Sequence, residues 1–312
     1  MKPMRAVVFA YHDVGVRCLQ VLLARGVDVA LVVTHADNPA ETIWFASVAS
    51  LCAEHGIACI TPADPSTPAL LAQVQAARPD MLFSFYYRHM LPLAVLQSAP
   101  LGAFNMHGSL LPKYRGRVPV NWAVLHGETE TGATLHEMVA KPDAGAIIAQ
   151  TSVPILPDDT APEVFAKVVV AAEQTLWRVL PQMLAGATPR LPNDLAHGSY
   201  FGGRNAEDGR IDWSQPAQAV YNLVRAVAPP YPGAWTMLGT QRCVIAGARL
   251  QKIDAIAEKQ SNLTCGLAVV DNRILGSCGD GRALHIHELR IDGVPIAPAA
   301  LASLLSTPRA AS

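Results

Sequence analysis

Residues 80–107 read "DMLFSFYYRHMLPLAVLQSAPLGAFNMH". The runs "DMLFSFY" (80–86) and "GAFNMH" (102–107) are short and rich in β-formers, and a longer helix-like segment separates them. Strand, helix, strand is the repeating unit of a parallel sheet. The nearly unbroken apolar character of both runs fits strands covered on both faces. The same alternation runs outward toward the N-terminus through "RAVVFA" (5–10), "DVALVVT" (28–34) and "IACI" (57–60). It continues into "TGATLHEMVA" (131–140) and "GAIIAQTSVPI" (145–155) as two further strands. A long helix is expected over "APEVFAKVVVAAEQTLWRVLPQMLAG" (161–186), ending at Gly186. The expectation is an open, mostly parallel α/β sheet with helices on both faces, occupying residues 1–186.

Residues 187–208, "ATPRLPNDLAHGSYFGGRNAED", lack a sustained period and are rich in Pro, Gly and Asn, which suits a surface linker. In "SQPAQAVYNLVRAVA" (214–228) a helix is expected, with Ser214 as its N-cap and Pro216 in its first turn. Short strand-like runs follow, among them "QRCVIAGARL" (241–250), "RILGSC" (273–278) and "ALHIHELRI" (283–291). Their number and spacing predict a small β-barrel over 209–312.

With 312 residues, 51% of them hydrophobic and 16% charged, the chain can bury a sizeable core. A formal net charge of -1 offers no general attraction for nucleic acid. Six cysteines without a C-x-x-C pair, and an N-terminal apolar run too short for a signal peptide, point to reduced thiols and a cytoplasmic location. No apolar stretch of about 18 residues is present, so no membrane insertion is expected. H-E-x-x-H, G-x-x-x-x-G-K-[ST] and G-x-G-x-x-G are missing, which removes the main support for zinc-protease, P-loop and ordinary dinucleotide readings. His285 and His287 alternate on one run but have no visible partners, so no metal is expected.

The chemistry collects where the fifth strand run ends, in "NMHGSLLPKYRG" (105–116). Asn105 and His107 are two apart, so both should project from one face of a strand. Ligands of open α/β sheets bind outside the carboxyl ends of the strands, where this pair lies. An imidazole can move a proton near neutral pH, and an amide NH₂ can hold an oxygen that gains negative charge. The pair suits attack on a carbonyl, and it equally suits the satisfaction of a strand end and a turn. A carboxylate to hold the imidazole is available in "KPDAGAI", where Asp143 lies in a glycine-containing loop.

Asn105, His107 and Asp143, with "SLLPKYRGRVP" between them, resemble the catalytic pattern of formyltransferases that use 10-formyltetrahydrofolate. The resemblance spans the chain and extends to "RAVAPPYPGAW" (225–235). It implies a Rossmann-like catalytic domain followed by a small OB-like barrel, as in the methionyl-tRNA formyltransferase superfamily. Within that superfamily, "VVFAYHDVG", "THADNP", "FSFYYRHML" and "HGETETGATLHEMV" look most like the formyltransferase half of the bifunctional ArnA enzymes. Their substrate is UDP-4-amino-4-deoxy-L-arabinose, an intermediate in the cationic modification of lipid A.

The resemblance assigns oxyanion stabilisation to Asn105, proton movement to His107, and the raising of the His107 pKa to Asp143. It places the formyl-folate against His89, Met90, Leu91 and Arg117, and against the loop of Val139, Ala140, Lys141, Pro142 and Asp143. The implied partners are a sugar nucleotide and a folate, with no nucleic acid. Residues 35–49 agree with the last point, since "HADNPAETIWFASVA" has no Lys or Arg and carries Asp37 and Glu41, where tRNA-acting members have a basic loop. ArnA enzymes continue into a decarboxylase domain, and the sequence stops at Ser312, so a stand-alone formyltransferase is expected. The catalytic residues alone also permit tRNA formylation and hydrolysis of formyl-folate. A regulatory folate-binding module is the alternative without chemistry.

Overall fold

The computed structural model describes residues 3–39, 41–251 and 264–306. By packing, the chain divides into two compact units. The first comprises residues 1–119, 130–154 and 165–202, and the second 120–129, 155–164 and 203–312. The second unit thus includes two segments that precede Gly186 in the sequence.

The first unit is built on a seven-stranded sheet. In chain order its strands are β1 (Arg5–Ala10), β2 (Asp28–Val33), β3 (Cys59–Ile60), β4 (Met81–Phe85), β5 (Ala103–His107), β7 (Glu130–Glu137) and β8 (Ile147–Pro154). A short β6 (Arg115–Gly116) pairs separately, in parallel, with β9 (Tyr200–Phe201). The order across the large sheet is β3-β2-β1-β4-β5-β7-β8. The first five strands in that order are parallel, and β7 and β8 add antiparallel. The chain moves outward from β1 to β3, then returns to the other side of β1 as β4. That reversal makes the carboxyl ends of β1 and β4 the topological switch point, the usual ligand position in an open α/β sheet.

Helices cover the sheet as the apolar runs require. On one face Val7, Phe9, Leu31, Val33 and Leu82 pack with Leu70 and Val74 of α3 (Pro68–Ala77) and with Val95 and Leu96 of α4 (Leu93–Leu96). Helix α1 (His12–Ala24) packs against β1 and α2 (Val48–Glu54) and buries Val14, Cys18, Leu19 and Leu22. Each large side chain buried this way contributes roughly 1.5–3 kcal/mol relative to exposure. Thr67 caps α3 by accepting from the Leu70 N–H at 3.3 Å, and Pro68 occupies the first turn.

The second unit is an antiparallel half-barrel. Its strands β10 (Ala234–Leu238), β11 (Gln241–Leu250), β12 (Gly266–Val270), β13 (Arg273–Ser277) and β14 (Ala283–Ile291) run in the order β10-β11-β14-β13-β12. A short β15 (Val294–Pro295) adds to β14. Val220, Tyr221 and Val224 from one helix fill its core with Ile245, Leu284, Ile286 and Leu289. That helix spans Ala217–Ala226, with Pro216 at the N-cap position in place of the expected Ser214. Ser214 instead closes a tight turn on Asp212, its N–H and hydroxyl both donating to Oδ1 at 3.0 and 2.6 Å. The capping oxygen comes from far along the chain, as Asp280 Oδ2 accepts from the Ala217 N–H at 3.1 Å.

Candidate active site

Strand β5 is buried along its length except at Asn105, which is half-buried between the fully buried Phe104 and Met106. Antiparallel pairing sets Asn105 opposite His136 and His107 opposite Thr134, and Thr134 in turn opposite Gln150 on β8. Directly opposed residues share a face of the sheet, so these five polar side chains form one patch at the end of β5.

The segment after β5 folds back over that patch, held by hydrogen bonds from the strands. Thr134 Oγ1 donates to the Ser109 carbonyl at 2.6 Å and accepts from the Leu111 N–H at 3.1 Å. Gln150 Nε2 donates to the Leu111 carbonyl at 2.8 Å. The return of the chain brings the Tyr114 carbonyl to His107, 2.8 Å from Nε2. A carbonyl only accepts, so Nε2 carries the hydrogen. In the neutral ring the lone pair is then on Nδ1, and Nδ1 faces Asp143 Oδ1 at 3.8 Å.

Asp143 lies in the loop between β7 and β8, in the left-handed region at φ 49°. Its other oxygen, Oδ2, accepts from the Gly116 N–H at 2.8 Å. Asn193 braces the loop from the segment read as a linker, with Nδ2 donating to the carbonyls of Asp143 and Gly145, both at 3.0 Å. The same segment clamps the returning chain: Ser199 Oγ accepts from the Tyr114 N–H at 2.8 Å, and Tyr114 stacks on Phe201 at 5.4 Å.

Burial works against the Asp143 charge, but His107, His136 and the Gly116 N–H outweigh it and hold the carboxyl below its ordinary range. For His107 burial is the larger influence and pushes the imidazole below its ordinary value, although Asp143 and the Tyr114 carbonyl pull upward. Asp143 therefore acts on His107 in the expected direction, yet the net shift is down. A neutral His107 beside an ionised Asp143 can accept a proton on Nδ1, and the carboxylate offsets part of the cost of burying that charge.

Asn105, His107 and Asp143 come together. His136, which the sequence reading passed over, lies among them: its Nε2 is 3.1 Å from Asn105 Nδ2 and 3.4 Å from Asp143 Oδ1. The signal for it was the pairing of "TGATLHEMVA" beside "GAFNMH", which only the sheet order supplies. Arg117, exposed, directly follows Gly116, and exposed Val139, Ala140 and Lys141 with half-buried Pro142 lead into Asp143. His89, Met90 and Leu91 follow β4, the neighbour of β5, and have different surroundings. His89 lies 5.0 Å from the His35 ring, Met90 is exposed, and Leu91 is buried in the core with Tyr87.

At the carboxyl ends of β1 and β2, Tyr11 donates to Asp37 Oδ1 at 2.9 Å, and His12 stacks on Phe45 at 3.9 Å between centroids. Arg88 lies over the Tyr11 ring and pairs with Glu41 at 2.9 Å. Among the described residues no cluster of three or more His, Cys, Asp or Glu could hold a metal ion, and no helix is long and apolar enough to cross a membrane.

Two family models match the sequence, "Formyl transferase" over residues 4–180 and "Formyl transferase, C-terminal domain" over residues 204–302. The chain belongs to the formyl transferase family. Among solved structures, the fold resembles WlaRD, a sugar 3N-formyl transferase studied with dTDP and 5-N-formyl-THF, with a TM-score of 0.72 and 18% identity. That match covers 94% of this chain and 100% of the other. The N-formyltransferase of Helicobacter canadensis, in complex with folinic acid and dTDP-3-aminofucose, aligns with a TM-score of 0.68 and 18% identity over 91% of this chain and 99% of its own. HypX of Aquifex aeolicus, in complex with tetrahydrofolic acid, aligns with a TM-score of 0.65 and 18% identity over 98% of this chain and 48% of its own. The formyltransferase fold thus extends through both units.

Proposed function

We propose that this formyltransferase moves a formyl group from 10-formyltetrahydrofolate to the amine of a nucleotide-linked amino sugar, with UDP-4-amino-4-deoxy-L-arabinose as the acceptor. The observation that carries the reading is the convergence of Asn105, His107 and Asp143 at the end of β5. The amine attacks the formyl carbon, and the carbonyl oxygen becomes an oxyanion that accepts from the Asn105 NH₂. His107 takes the amine proton on Nδ1, where Asp143 stabilises the imidazolium. The folate nitrogen then leaves with its bonding electrons and is protonated, giving tetrahydrofolate and the formamide.

His89, Met90, Leu91, Arg117 and the Val139–Asp143 loop are proposed as the folate surface. Support for a folate donor and a sugar-nucleotide acceptor comes from the ligands of WlaRD and the Helicobacter canadensis enzyme. The choice of a UDP-linked arabinose rests on the ArnA-like stretches "VVFAYHDVG" and "FSFYYRHML". The test measures formyl release with no acceptor, with a panel of UDP- and dTDP-linked amino sugars, and with methionyl-tRNA. Transfer to the UDP-arabinose amine above all others is expected. Preference for a dTDP sugar would move the reading to another sugar nucleotide, and preference for tRNA or water would overturn it.

A further inference from the structure

We propose that His136 is a positioning residue that fixes which end of the Asn105 amide faces the reacting oxygen, an assignment that rests on the formyl-transfer reading of the site. His136 is 2% exposed, and its ring is held from both sides. Nδ1 lies 2.8 Å from the Glu137 carbonyl oxygen, which can only accept, so Nδ1 carries the hydrogen. In the neutral ring Nε2 is then a lone pair, and Asn105 approaches it at 3.1 Å. Only the NH₂ end of the amide can satisfy that lone pair; the reversed amide would bring its carbonyl oxygen against another acceptor. The competing arrangement is a doubly protonated ring that donates from Nε2 to Asp143 Oδ1, 3.4 Å away, and would take the oxygen end of the Asn105 amide instead. One Asn105 N–H is spent on His136, and the other remains for an oxyanion. A backbone carbonyl thus sets a tautomer, and the tautomer sets the direction of the catalytic donor.

Two isosteric substitutions separate the ring nitrogens, because a Gln amide reaches the place of Nε2 and an Asn amide that of Nδ1. In His136→Phe, which fills the volume with no acceptor, turnover is expected to fall about tenfold to a hundredfold with the Michaelis constant for the folate little changed. His136→Gln is expected to recover most of that loss, and His136→Asn little of it. Parental turnover in His136→Phe, or equal recovery by Gln and Asn, overturns the proposal. Nitrogen-15 NMR of the parent protein at pH 7, with His136 assigned by its disappearance in His136→Phe, reads the tautomer without any substrate. A protonated Nδ1 with an unprotonated Nε2 is expected, and a hydrogen on Nε2 overturns the proposal. If the parent formylates no sugar on the panel while the tautomer is as expected, the functional reading fails and the positioning of Asn105 stands.

Discussion

The Gly116 N–H donates to Asp143 Oδ2 at 2.8 Å, and this one hydrogen bond closes the loop after β5 onto the loop between β7 and β8. Gly116 sits at φ 99°, and a β-carbon there would overlap the Phe201 carbonyl oxygen. Both facts call for glycine. Gly116→Ala should therefore lower the melting temperature and turnover together, with a stability loss of roughly 1–3 kcal/mol. Gly26→Ala is the control, since Gly26 also has positive φ (75°) but has open space around it. Equal losses in the two variants would mean that the close approach to Phe201 carries no weight.

His107→Ala is expected to lose about 10²- to 10⁴-fold in turnover, the usual worth of a positioned proton carrier. The fold should tolerate the change, because the Tyr114 carbonyl that His107 holds is also approached by Ser109 Oγ at 3.4 Å. Steady-state kinetics and circular dichroism on one preparation check both halves. A folded variant with parental turnover would remove His107 from the chemistry.

Much of this arrangement was legible in the chain. The alternation of strand and helix runs marks the sheet, and the two-residue spacing of Asn105 and His107 puts both on one face of β5. Asp143 was findable only through the company it keeps in the family pattern, because a "PDAG" stretch by itself reads as an ordinary turn. His136 was not legible, since its place depends on β7 pairing beside β5 in a register that no local signal fixes. Asn193 and Ser199 were hidden for another reason. Their segment has no periodicity, and these two residues act through side-chain hydrogen bonds to loops about 50 and 85 positions earlier. Ser214 misled because Ser two residues before Pro resembles a cap signal, while the capping carboxylate, Asp280, lies on a distant turn.

The titration of His107, His35 and His12 has a fixed sign. His107 is held below its ordinary value of 6.5, His35 is lowered to about 4 and His12 to about 3, burial being the largest cause in each case. Below pH 6.5 the unfolded chain therefore binds protons that the folded chain refuses, and stability falls as pH drops. Asp143, held below its ordinary 3.8, adds to the same trend only in stronger acid. His35→Gln, which keeps an acceptor for the Arg88 N–H now given to His35 Nε2 at 3.0 Å, should flatten the decline between pH 6.5 and about 4. Denaturant melts across that window check it, and an unchanged slope would show that His35 is protonated normally in the folded state.

Asp143→Asn separates charge from geometry. The amide oxygen can still accept from Gly116, so the loop should hold, but the negative charge that favours protonated His107 is gone. The His107 pKa then falls further, and the acid limb of the turnover profile should move to lower pH while the maximum rate drops. An unmoved limb with normal turnover would return Asp143 to the role of a turn residue.

Asn105→Ala is the most selective change, because in the proposed reaction the second amide N–H acts only on a charge that exists in the tetrahedral state. Ground-state binding of donor and acceptor should barely change. Loss of one such donor costs about 10²- to 10³-fold in turnover, roughly 2.7–4 kcal/mol. The substitution also leaves His136 Nε2 without its 3.1 Å donor, at a cost in stability of about 1–3 kcal/mol. A lower melting temperature is therefore expected on either account and cannot decide between them. The deciding quantity is turnover of the folded fraction at saturating substrates. If that is intact, Asn105 serves only to satisfy His136, and the oxyanion would have to be held by some other donor at the end of β5. If it falls by two to three orders of magnitude with Michaelis constants unchanged, the amide acts where the charge develops.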